Sequence, residues 1–153
     1  MRHQIFAVLS IVVLALLSSC ATVPMASTQA DASAKHFEAP PEKSRIYLVR
    51  ASSVGTAILF QVTVDDRIIG SLPVHTYLVV DVPPGPHNIT ALGGENESAV
   101  PLTTEAGKVY FLRVGPRPGW IQARVAIYEL PENEGRRVVA GASLAKGRNP
   151  TGE

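Results

Sequence analysis

The sequence predicts an all-β fold, a single antiparallel β-sandwich of about seven or eight strands, immunoglobulin-like or prealbumin-like in arrangement. Two observations carry this reading. Short β-prone runs recur between residues 45 and 130 with turn residues between them, and few segments could serve as crossover helices. About 100 residues with two inner sheet faces to bury suffice for one modest core, so a single domain over 44–145 is expected.

The chain opens differently. Met1-Arg2-His3 carries one firm positive charge, Ile5 to Leu17 is apolar apart from Ser10, and Ser18-Ser19 supplies small residues before Cys20. These are the three regions of an export signal, placed at residues 1–19. A helix of about 13 residues would span only about 20 Å, short of a roughly 30 Å hydrocarbon core, so a permanent transmembrane anchor is not expected. Leu17-Ser18-Ser19-Cys20 resembles the bacterial lipobox. That resemblance implies cleavage between Ser19 and Cys20, a diacylglyceryl thioether on Cys20, and a third fatty acyl chain, such as palmitate, on the new amine. Two or more chains give durable anchoring where one holds only marginally. Aspartate after such a cysteine resembles an inner-membrane retention mark. Ala21 stands there instead, which points to the outer membrane, facing the periplasm.

Cys20 is the one cysteine, which excludes an internal disulfide and any thiolate-cluster metal site. Removing residues 1–19 takes away Arg2, leaving 13 Lys/Arg against 13 Asp/Glu. A formally neutral mature chain gives no electrostatic footprint for nucleic acid. Residues 20–43 are rich in Ala, Ser, Thr and Pro, and offer few large apolar groups to offset ordering, so they are expected to be a flexible linker.

Structured sequence is expected from Ser44. Arg45 to Arg50 is β-prone, and Ala57 to Val64 follows, then Asp65-Asp66 and Arg67 to Gly70. An acidic pair between apolar strands predicts a tight hairpin. His75 to Val82 is stopped by Pro83-Pro84-Gly85-Pro86, and His87 to Leu92 resumes with apolar alternation, which predicts a second antiparallel hairpin. Glu97 to Leu102 and Val109 to Val114 flank a turn at 103–108, and Ile121 to Leu130 is a final long strand with Ile121, Ala123, Val125 and Ile127 on one parity. Pro131 with Glu132 and Glu134 can open a short C-terminal helix running to Ala145, although Gly135 and Gly141 weaken it. Residues 146–153 are expected to form a flexible tail.

Ile46 to Arg50, Gly55 to Val64 with Asp65 and Gly70, Pro84-Gly85-Pro86-His87, and Glu105 to Val114 together resemble the DUF2846 domain of bacterial lipoproteins and secreted proteins. The resemblance covers about 44–130, and it implies a small envelope β-sandwich with no established activity. The proline-glycine hairpin and the tyrosine-bearing strand after it also resemble PEGA-type surface modules.

The polar residues do not name a reaction. His75 and His87, with Asp81, would form a metal or proton-transfer site if a hairpin joined them. No His-Glu-x-x-His pattern is present, and strand-edge or turn histidines are the simpler reading. Asp65-Asp66 reads as a turn. Ser52-Ser53 lacks a Gly-x-Ser-x-Gly elbow and an assignable base. Gly93-Gly94 and Gly115 to Trp120 lack nucleotide fingerprints and read as loops. Arg117 and Trp120 form the candidate binding patch if Trp120 is exposed; a core-facing Trp120 fits the sequence equally well.

The expected function is therefore a noncatalytic, membrane-anchored periplasmic lipoprotein acting as a structural or protein-interaction module. No catalytic residue, metal or cofactor is expected beyond the covalent lipid on Cys20. The expected partners are membrane lipid and an envelope protein, not nucleic acid. The alternative is a small-ligand-binding or hydrolytic domain built from sequence-distant residues.

Overall fold

The computed structural model describes residues 23–148, so the export signal, Ser19 and Cys20, and the tail beyond Arg148 lie outside the described residues. Among the described residues, nine strands form two sheets: β1 (Ser44–Arg50), β2 (Phe60–Val64), β3 (Arg67–Leu72), β4 (Thr76–Val82), β5 (Gly85–Leu92), β6 (Glu97–Thr104), β7 (Val109–Arg117), β8 (Arg124–Leu130) and β9 (Ser143–Leu144). The first sheet runs β8-β7-β1-β4-β9 and the second β3-β2-β5-β6. All pairs are antiparallel except β1 with β7 and β4 with β9. The expected all-β sandwich is thus present, with two parallel pairings added.

The Asp65-Asp66 hairpin forms as the sequence predicts. Val64 pairs with Arg67, and φ values of 49° and 64° at the two aspartates match a turn that needs both central residues left-handed. The second predicted hairpin does not form: β4 belongs to the first sheet and β5 to the second. Pro83-Pro84 carries the chain across the sandwich instead, since prolines can bend a chain without offering the N–H groups a ladder requires. β5 pairs with β6.

Between the sheets, Ile46, Leu48, Phe60, Val62, Leu78, Ile89 and Leu112 are completely buried. β1 is covered on its other face as well, where Tyr47 and Val49 join Tyr77, Phe111 and Leu130 in a second apolar cluster. Two helices roof this cluster: α1 (Thr28–Ala34) and α2 (Glu132–Ala140). The molecule is therefore three layers deep on this side, which explains why Ile46 to Val49 is an unbroken apolar run rather than an alternating one.

α1 corrects the expectation of a flexible linker over 20–43. Its few apolar groups suffice because the sheet donates the large rings and the helix donates small residues that let it come close. Ala34 is buried, its carbonyl accepts the Tyr47 hydroxyl, and the Ser27 side chain caps Ala30 N–H at 3.2 Å. Asp31 fixes the helix to the far end of the chain: Oδ1 accepts the Tyr77 hydroxyl at 3.0 Å and Leu144 N–H at 2.8 Å, while Oδ2 meets Lys35 Nζ at 2.7 Å. These donors outweigh the cost of burial and hold its carboxyl below the usual range.

The C-terminal helix is shorter than expected, ending at Ala140 with Gly141 as its C-cap, before β9. Gly135 does not break it; the glycine lets α2 settle on the Phe111 ring, whose centroid lies 5.1 Å from that of Tyr47. The first residues of the expected flexible tail are also placed: Lys146 N–H donates to Pro24 O at 2.8 Å and Arg148 N–H to Ile69 O at 2.6 Å. Met25 bridges Ala145 in antiparallel sense, so both ends of the described chain run side by side.

Candidate functional site

The sequence left Trp120 open between core and surface; the structure puts it outside. It is 97% exposed, and its neighbour Ile121 is 92% exposed, because β8 begins only at Arg124 and residues 118–123 form a loop. Arg117 ends β7, also exposed, beside that loop. Arg117, Pro118 and Ile121 face Val54, Gly55 and Ile58 across a cleft of about 280 Å³.

Both walls of this cleft are held through backbone dipoles by a charge of the appropriate sign. On one side, the Arg50 side chain, completely buried at the end of β1, donates to four carbonyls: Nη1 to Ile58 at 2.5 Å and Leu72 at 3.0 Å, Nη2 to Val54 at 3.1 Å and Gly55 at 2.7 Å. Its guanidinium also lies 4.5 Å from the Phe60 ring centroid. No carboxylate pairs with it among the described residues, and burial lowers its proton affinity. On the other side, Glu95 in the β5–β6 turn accepts three successive N–H groups, from Trp120 at 2.9 Å, Ile121 at 2.5 Å and Gln122 at 2.7 Å. Those donors, Gln122 first, hold the Glu95 carboxyl below its ordinary value. Asn96 reinforces the clamp by accepting from Val125 N–H at 2.7 Å and donating to Val125 O at 2.9 Å.

Glu95→Gln should therefore loosen residues 118–123 without disturbing the sandwich. The expected result is faster amide exchange at Trp120 to Gln122 with an unchanged midpoint of global denaturation. Trp120 is the chain's one tryptophan, so its fluorescence in the native protein should already be solvent-like and open to iodide quenching; a blue-shifted, protected emission would contradict the loop's placement.

The histidines do not meet. Because β4 and β5 lie in different sheets, His75, His87 and Asp81 each have other partners: Asp81 pairs with Arg45 at 2.7 Å, His87 Nδ1 donates to Asp65 at 2.6 Å, and His75 Nε2 lies 3.0 Å from Ser53 Oγ. No group of three or more His, Cys, Asp or Glu suited to a metal ion occurs among the described residues. The Ser53–His75 contact joins residues 22 apart, and sequence reasoning missed it for lack of any local motif.

His87 has an acceptor on each ring nitrogen, Asp65 on Nδ1 and Pro83 O at 2.7 Å on Nε2, so the doubly protonated ring fits the site. Burial opposes the charge, but the Asp65 hydrogen bond and the Pro83 carbonyl outweigh it and raise the pKa above 6.5. Asp65 is likewise lowered from 3.8: its burial is outweighed by His87 and Asn88 N–H. His87 thus contributes stability that is full below pH 6.5 and is lost as pH rises through its folded value. Asp65 contributes above pH 3.8 and loses its contribution as pH falls through its own folded value. A thermal-melting profile should decline above about pH 6.5, and His87→Gln should flatten that decline. An unchanged slope in the variant would assign the pH dependence elsewhere.

The chain belongs to the DUF2846 family, described as a protein family of unknown function, whose model matches residues 40–123. That span runs from just before β1 through both walls of the cleft, stopping short of β8. An uncharacterised protein of Haemophilus influenzae (strain ATCC 51907 / DSM 11121 / KW20 / Rd) is 33% identical over 144 residues, covering 93% of this chain and 86% of the relative. No solved structure matches the chain.

Proposed function

We propose that the protein is a noncatalytic lipoprotein of the bacterial envelope, anchored through acylated Cys20 in the outer membrane and facing the periplasm. In this reading it presents Trp120, together with the adjoining cleft that Arg117 and Ile121 line, to a protein partner. The observation that carries the interaction role is an exposed tryptophan on a loop that Glu95 holds in place. A large aromatic kept in water next to a preorganised apolar cleft with one arginine has the make-up of a binding hot spot. The anchor reading is supported by the order of charged, apolar and small residues before Cys20.

Crosslinking in native membranes followed by mass spectrometry tests both parts. The expected result is an acylated N-terminal Cys20 and a protein crosslinked to the 117–121 loop, lost in Trp120→Ala; a Cys20→Ala control should leave the membrane fraction. Unmodified Cys20, or crosslinks indifferent to Trp120, would overturn the corresponding part. The Ser53–His75 contact favours a hydrolytic reading as the second possibility. It predicts fluorophosphonate labelling of Ser53, whereas the first reading predicts none.

A further inference from the structure

The segment that leads to Cys20 reaches the domain at Val23 and Pro24, which are packed in place rather than strung out. Val23 rests on the core between the sheets, and Pro24 O accepts Lys146 N–H. Two residues, Ala21 and Thr22, separate Val23 from Cys20, so the covalent reach over three Cα–Cα steps is at most about 11 Å. A flexible linker over 20–43 would instead have allowed an end-to-end distance of roughly 25–30 Å. A Cys20 held by acyl chains at the base of the headgroup layer therefore brings this one face of the domain to the bilayer surface.

That face has the chemistry of an interfacial surface. Val23 and Pro24 line a shallow depression of about 480 Å³ together with Leu59, Ile68, Lys146 and Arg148. Leu59 is 45% exposed and Ile68 39%, and Met25, next in the chain, is 45% exposed. Lys146 and Arg148 are the only charged residues lining the depression, and neither forms an ion pair among the described residues. Apolar side chains with flanking cations and no acid match an anionic lipid surface.

We propose that this face, at the β3 edge of the second sheet, docks on an anionic bilayer, so that the protein lies against the membrane with a fixed orientation. The inference rests on acylation of Cys20. Docking of this edge leaves β6, at the opposite edge of the same sheet, in the aqueous phase.

The chain has no other cysteine, so acylation leaves no free thiol, and Ser71→Cys or Ala99→Cys introduces a unique one. Ser71 lines the depression, and Ala99 is an exposed residue of β6. The full lipidated protein, with either position carrying a bimane label, is placed in vesicles containing nitroxide-headgroup lipid, with phosphatidylglycerol or with phosphatidylcholine alone. The expected result is quenching at position 71 and not at 99, strongest with phosphatidylglycerol and relieved by salt. Neutralising both cations as Lys146→Gln/Arg148→Gln should lower the docked-to-undocked ratio roughly 25-fold. If Cys20 is acylated by mass but position 71 stays unquenched, or is quenched regardless of lipid charge and of the double substitution, docking is overturned and the anchor stands. Thiol labelling of the protein that lacks an introduced cysteine would show Cys20 unacylated and overturn both.

Discussion

Arg50→Met is expected to destabilise the protein by about 3–4 kcal/mol, a large part of the roughly 5–15 kcal/mol that a domain of this size has. The substitution keeps the apolar stem but removes the donors to four carbonyls. The bond to the Leu72 carbonyl is buried and that to Ile58 partly buried, and leaving a buried acceptor without a donor costs about 1–3 kcal/mol. The carbonyls of Val54 and Gly55 lie on the loop and can turn to water, so they add less. Against this, the variant no longer buries an unpaired guanidinium, and replacing a buried charge with an apolar group can be nearly neutral. Denaturant titration decides between these terms, and limited proteolysis locates the damage: cleavage should appear between Ser52 and Leu59. Arg50→Lys should fall short of full rescue, because one ammonium cannot span carbonyls that the planar fork reaches two on each side. A fully stable Met variant with a protected loop would show that packing, not hydrogen bonding, holds this wall of the cleft.

Gly135→Ala should destabilise by about 2–3 kcal/mol, although the same change inside an exposed helix ordinarily gains about 1 kcal/mol. The added methyl would overlap the Phe111 ring, which is 1% exposed and set between Tyr47 and Phe37 with no room to move aside. α2 would have to lift away from the sheet, opening the second apolar cluster. Pairing the change with Phe111→Leu should recover part of the loss, a coupling of more than about 1 kcal/mol in a double-mutant cycle. A Gly135→Ala protein that melts above the wild type would refute the close packing of α2.

The strands were legible in the sequence because each carries its own signal: apolar runs, and turns written in Asp65-Asp66 and Pro83-Pro84. What a turn signal lacks is the identity of the next partner. Pro83-Pro84-Gly85 ends β4 whether the chain doubles back or crosses to the other sheet, so the hairpin expectation failed there. α1 was hidden for a different reason. Its own residues bury little, and the driving surface, Tyr47, Tyr77 and Phe111, is contributed by strands far along the chain. Of the site, Arg117 and Trp120 were visible as a pair of residue types, but the exposure of Trp120 depended on where β8 starts. Arg50 and Glu95 were not singled out at all. Arg50 reads as one more charged residue at a strand end, and only tertiary packing surrounds it with carbonyls.

The pairing of the two chain ends also sets a timetable. Asp31 on α1 accepts from Leu144, 113 positions later, and Met25 has its backbone partner at Ala145. At about 5–20 residues per second, synthesis from Asp31 to Leu144 takes roughly 6–23 s. The roof over Tyr47 and Tyr77 cannot close before then. A protein cut short anywhere before Leu144 would lack the donor that ties Asp31 to β9, and α1 would sit over those rings without that tie.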